Sequence, residues 1–94
     1  VEDNHFKIGQ VVRATKGRDQ NRIFIIVGKV DEEYVLIADG DLRRIEKPKK
    51  KKIKHLAKFN IISHEVKDRI QNEKKMNNAF IRRELERLGV KSLD

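Results

Sequence analysis

The strongest constraint on this chain is a texture of short Val- and Ile-rich runs broken by turn residues, from Phe6 to Asn60. Runs this short and this rich in β-branched residues suit strands. "QVVRA" reads as a first strand, followed by a turn at "KGRDQN" and a second strand, "RIFIIVGKV". The centre of the second is apolar on successive positions, as expected where a closed sheet or a covering helix buries both faces. Gly28 within it marks a bulge or sharp bend. An acidic turn, "DEE", leads to a third strand, "YVLIA". Asp39-Gly40 is then a strong hairpin signal. It predicts "LRRI" as the return strand, ended by Pro48 because proline cannot donate to a ladder. A fifth strand is expected at "KHLAKF", with Leu56 and Phe59 pointing inward. Five short strands in about fifty residues predict a small SH3-like barrel. Closure removes strand edges that so small a chain could hardly protect.

After Asn60 the pattern turns helical. Ser63 can cap a helix whose first turn holds Glu65, suited to the N-terminal dipole. Val66 and Ile70 lie on one face of it. "QNEKKMNN" has no such pattern and reads as a break. Asn77 or Asn78 can cap a second helix carrying Ile81, Leu85 and Leu88 at helical spacing, with Gly89 at its C-terminal cap. Such short amphipathic helices need a surface to dock on. The expected class is mainly β with α. Residues 1–5 form a polar lead-in, residues 6–60 the barrel with a basic loop at 47–54, and residues 61–94 a helical extension.

Composition removes several alternatives. Ile, Leu, Val and Phe make up 29 of 94 residues, well above the roughly 20% typical of disordered chains. The absence of Cys excludes disulfides and thiolate metal sites. The longest apolar run, Ile23 to Val27, has five residues, against about 20 needed to span a bilayer. No stretch reads as a secretory signal, so a cytoplasmic monomer is expected.

Charge is plentiful and unevenly placed. The net charge is +8, yet residues 1–40 carry −1, residues 41–60 carry +7 and residues 61–94 carry +2. The run "KPKKKKIK" has six Lys in eight positions. Like charges this dense repel one another. A polyanion relieves the repulsion and releases counterions, which makes binding salt-dependent. A solvated loop is the simpler reading of such a run. Its position in a barrel, beside Arg43 and Arg44, favours nucleic acid, and no lipidation signal favours a membrane. Lys16, Arg18 and Arg22 flank the first turn and could grip phosphates, unless Asp19 pairs with one of them.

The stretch "IGQVVRATKGRDQNRIFIIVGKV" resembles a KOW motif, with Gly17 as its signature glycine. The extension "DEEYVLIADGDLRRIEKPKKKKIKHL" is similar to large-subunit ribosomal proteins of the fourteen-e type, and to small bacterial KOW-domain RNA-binding proteins. "NNAFIRRELERLG" resembles the C-terminal helix of that bacterial family. The resemblance covers roughly residues 7–58 and implies an SH3-like barrel that binds ribosomal RNA. Many KOW motifs carry a Lys-Gly pair where this chain has Gln20 and Asn21. Asn tolerates left-handed geometry, but the lysine's phosphate contact is lost.

Chemistry beyond charge is thin. Phe24 and Phe80 read as core, and no exposed aromatic platform for unpaired bases is evident. Recognition is therefore expected to be of backbone and shape. Ser63 and His64 are adjacent, but a nucleophile and base must face each other. His5, His55 and His64 lack metal-ligand spacing. No enzyme, cofactor or metal is expected. The expected partner is structured RNA, ribosomal or on the ribosome. The RNA-binding set is Lys16, Arg18, Arg22, Arg43, Arg44, Lys49, Lys50, Lys51, Lys52, Lys54 and His55. The alternative is a module of the transcription or translation machinery that docks a protein through Ile81, Leu85 and Leu88. DNA binding is a weaker third.

Overall fold

The computed structural model describes residues 6–90. The lead-in at 1–5, with His5, and the last four residues lie outside that range. Five strands form one antiparallel sheet: β1 (Gln10–Ala14), β2 (Ile23–Lys29), β3 (Tyr34–Ala38), β4 (Lys49–Lys52) and β5 (Leu56–Ile62). Their spatial order is β4-β3-β2-β1-β5. A 3-10 turn, Ile53–His55, joins the two edge strands. This arrangement is consistent with an SH3-like barrel whose seam is not closed by strand pairing. Two helices follow, α1 (His64–Gln71) and α2 (Asn78–Arg87).

The first three strands form where the apolar runs predict them. Gly17 (φ +89°) and Asn21 (φ +73°) make the left-handed bends of the β1–β2 turn. The β2–β3 register shifts between Ile26 and Gly28, the expected bulge.

The fourth strand is not "LRRI". Residues 42–45 lie in the connection, and the strand is the lysine run itself, with Val35 opposite Lys51 and Ile37 opposite Lys49. Asp39-Gly40 does turn the chain, but toward α2. Asp39 Oδ1 accepts from the backbone N–H of Asp41 and Arg43 at 3.0 and 2.8 Å. Gly40 has φ +78°, and a Cβ there would collide with the Asn78 carbonyl oxygen. Asn78, buried at the start of α2, accepts from the Ile45 N–H at 2.7 Å and donates to Glu46 at 2.9 Å. These bonds hold 41–46 against the helix, so pairing with β3 resumes only after Pro48. Proline therefore precedes the strand instead of ending it.

Alternation sorts the apolar residues into two clusters. Val12, Ala14, Phe24, Ile26, Val35, Ile37 and Leu56 fill the inside of the curved sheet with Phe6. Val11, Ile23 and Ile25 point the other way and meet Val66, Ile81 and Leu85 from the helices. This is why β2 is apolar on both parities. Phe59, three residues after Leu56, has the opposite parity and packs with the helical cluster, not inward.

Both helix caps form as their sequences predict. Ser63 Oγ accepts from the Val66 N–H at 3.2 Å, and Asn77 Oδ1 accepts from the Phe80 N–H at 2.8 Å. Gly89 (φ +77°) follows α2 in the left-handed conformation.

Candidate nucleic-acid interface

Because the lysines form a strand, they divide by parity. Lys49 and Lys51 share the side of Val35 and Ile37, the interior. A lysine can bury its aliphatic stem while its ammonium finds an acceptor at the margin. Lys51 does this: it is 9% exposed, and its Nζ donates to the Lys16 carbonyl at 3.0 Å. Lys51 thus ties β4 to the β1–β2 turn. Lys50 and Lys52 face outward with Tyr34 between them. Their Nζ atoms lie 4.7 and 5.7 Å from the centre of the Tyr34 ring. The polylysine segment is not a loop, and about half of it is free to meet a ligand.

The arginines divide as well. Asp19 and Asp39 are 2% and 5% exposed, and a carboxylate so placed needs compensation. Arg43 Nε meets Asp19 Oδ2 at 2.9 Å, and an Arg22 terminal nitrogen meets Asp39 Oδ2 at 3.1 Å and Asp41 at 3.8 Å. Asp19 pairs with Arg43, across the loops, not with a neighbour in its own turn. Arg22 and Arg43, expected to grip phosphates, therefore latch the β1–β2 turn and the 39–43 connection to each other. Arg44 is exposed, with a loose 3.7 Å contact to Glu46.

Lys16 and Arg18 are exposed on the same turn, and Lys54 is exposed beyond β4. His55 lies half-buried among these lysines, and its carbonyl accepts from the Thr15 N–H at 2.9 Å. Partial burial, then the positive field of Lys16, Lys51, Lys54 and Lys52, holds its imidazole below its ordinary pKa. Among the described residues, none of Lys16, Arg18, Lys50, Lys52 and Lys54 is ion-paired.

Tyr34 is the site residue that sequence reasoning missed. Its signal is its place opposite the lysine run. That signal could not be read while "LRRI" held the fourth-strand position.

The proposed docking face fails for a physical reason. Ile81 (0% exposed) and Leu85 (9%) are buried against Val11, Ile23 and Ile25, and Leu88 packs at the margin of the same cluster. The helices spend this face on their own sheet. Ser63 is also fully committed: buried, it caps α1 and donates to Glu84 Oε1 at 2.8 Å. Among the described residues, no group of three or more His, Cys, Asp or Glu side chains could hold a metal ion. No helix there is long and apolar enough to cross a membrane.

No family model matches the chain. Over 73 residues, 78% of this chain and 99% of the relative, it is 34% identical to a Bacillus subtilis (strain 168) protein named "Putative ribosome-binding protein YbzG". With that identity across almost the whole of the relative, the chain belongs to the same family as YbzG.

Proposed function

We propose that this protein is a non-catalytic RNA-binding protein that associates with the ribosome and contacts ribosomal RNA. One observation carries the reading. Among the described residues, Lys16, Arg18, Lys50, Lys52 and Lys54 carry no ion pair, and they lie on or beside β4 and the β1–β2 turn. Each phosphate they neutralise adds about 0.7 to 0.9 to the slope of log affinity against log salt. The name of the relative supports the ribosome as the place where that RNA is met.

The KOW and fourteen-e resemblance belongs to this proposal, supported by the left-handed Gly17 and Asn21 at the turn where the motif places its signature. So does a cytoplasmic location, where ribosomes work. The non-catalytic assignment is supported by Ser63, whose hydroxyl is engaged in two structural bonds.

Crosslinking in cells followed by sequencing of the bound RNA tests the proposal, together with co-sedimentation of the purified chain with ribosomes. Crosslinks are expected to concentrate at one ribosomal RNA site. Co-sedimentation should fall steeply with salt and be lost when Lys16, Arg18, Lys50, Lys52 and Lys54 all become Ala. Crosslinks scattered over messenger RNA, or undiminished co-sedimentation of the variant, would overturn it.

A further inference from the structure

The two helices cover only part of the sheet's outer face. They lie over β1 and β2 through Val11, Ile23 and Ile25. The same face of β3 and β4 carries Tyr34 and Leu36, opposite Lys52 and Lys50 respectively; both are partly exposed and neither belongs to the helix-covered cluster. Val30, 46% exposed, extends this strip at the β2–β3 turn. Gly28 sits across from Leu36, and a Cβ there would press within 3.1 Å of Leu36 Cδ1.

We propose that this partly exposed strip holds an unpaired nucleotide, its base stacked on the Tyr34 ring and its flanking phosphates on Lys50 and Lys52. The inference rests on the RNA-binding reading and specifies what kind of RNA element is recognised. Three features support it. The first is rigidity: the Tyr34 N–H donates to Asp31 Oδ1 at 2.9 Å, and its carbonyl accepts from the Val30 N–H at 3.0 Å. The ring therefore leaves a fixed backbone, so little ordering is required on binding. The second is the pair of ammonium groups beside one ring. An arriving phosphate draws them outward and opens the ring face, because charge-assisted bonds to phosphate exceed an exposed cation–π contact. The third is sequence tolerance: every base has a π-face, so stacking asks for an unstacked base and not for a particular one. An RNA duplex keeps its bases stacked inside, so it could use the lysines but not the ring.

The test uses the full chain and two probes: a single-stranded oligoribonucleotide of about eight nucleotides carrying one 2-aminopurine, and a blunt RNA duplex of about sixteen base pairs. Tyr34→Leu should weaken the single strand about tenfold and leave the duplex within about twofold. Tyr34→Phe keeps the ring and should match the parent. Quenching of 2-aminopurine on binding should occur with the parent and with Tyr34→Phe, and vanish with Tyr34→Leu. Lys50→Ala with Lys52→Ala should weaken both probes. Duplex binding by Tyr34→Leu also shows that this variant is folded; if it is not, the quenching in the parent and in Tyr34→Phe carries the test. Equal losses on both probes would make Tyr34 a support for the lysines and overturn the stacking proposal. Undiminished single-strand binding by Tyr34→Leu, or no quenching in the parent, would overturn it as well. Failure of the parent to bind either probe would instead remove the RNA-binding reading beneath it.

Discussion

Ser63 Oγ donates to Glu84 Oε1 at 2.8 Å, so one buried hydroxyl caps α1 and holds α2 at the same time. Glu84 completes the link through Arg87, whose terminal nitrogen meets it at 2.8 Å. Replacing Ser63 with Ala removes a helix cap and strips a buried carboxylate of a donor. The expected loss of stability is about 2–3 kcal/mol, measured by urea denaturation. RNA affinity at a temperature well below the transition should be unchanged, since β3 and β4 lie elsewhere on the sheet.

The same carboxylate sets an acid limb of stability. The hydrogen bond from Arg87 is the main cause that holds Glu84 below its ordinary pKa; burial opposes it and the Ser63 bond assists. A carboxylate whose pKa is depressed by folding contributes stability that is complete above its unfolded value, near 4.5. That contribution is lost as pH falls through the folded value. Glu84→Gln should therefore flatten the fall in melting temperature below about pH 4.5 relative to the parent. Parallel curves would contradict the assignment.

His55 works in the opposite range. Its imidazole is held below 6.5 by partial burial and by Lys16, Lys51, Lys54 and Lys52. As pH falls below 6.5 the unfolded chain takes up this proton first, so the free protein loses stability there. A bound polyanion cancels the lysine field and favours the imidazolium. RNA affinity at constant salt should therefore rise as pH drops from about 7.5 to 5.5, and His55→Asn should remove that rise. Fluorescence titrations across the pH range decide it.

Strand parity predicts opposite phenotypes for adjacent lysines. Lys51→Ala removes the bond to the Lys16 carbonyl and should cost about 1 kcal/mol of stability. Lys50→Ala should leave stability within about 0.5 kcal/mol and reduce the salt slope of RNA binding by about 0.7–0.9. A disordered loop would give both lysines the same profile in paired melts and salt titrations.

Two left-handed glycines separate strain from crowding. Gly89 (φ +77°) has open space where a Cβ would stand, whereas Gly40 (φ +78°) has the Asn78 carbonyl there. Gly89→Ala should cost about 1 kcal/mol. Gly40→Ala should cost at least 2 kcal/mol more, about the scale of backbone disruption, because the connection must leave α2. Thermal melts of the two variants compare them directly.

Most of the fold was legible because its signals are local. Short β-branched runs placed β1, β2 and β3, while Ser63 and Asn77 placed the two helix starts and Gly89 the end of α2. The fourth strand was hidden because its evidence is not local. Lysine has little preference for strands, and β4 exists through its pairing with β3 and the burial of Lys51. The same misplacement obscured the site. Read as a loop, the lysines have no parity to separate them, and nothing in the sequence sets Tyr34 beside them. The ion pairs of Arg22 and Arg43 are not legible in the sequence, because Asp39 and Asp19 reach them only after folding, across 17 and 24 residues of sequence.

The position of β4 at the border of the sheet bears on how the protein behaves in a crowded cell. A border strand offers unsatisfied backbone groups that could recruit the same strand from a neighbouring molecule. Four consecutive positive charges make that self-recruitment repulsive, so the residues proposed to meet RNA would also keep copies apart. The two roles conflict once the charge is masked. A polyanion that neutralises the lysines without covering the border would remove the repulsion and permit β4 to pair with β4. Solubility would then depend on the ratio of RNA to protein, with clouding near charge balance and clearing on either side.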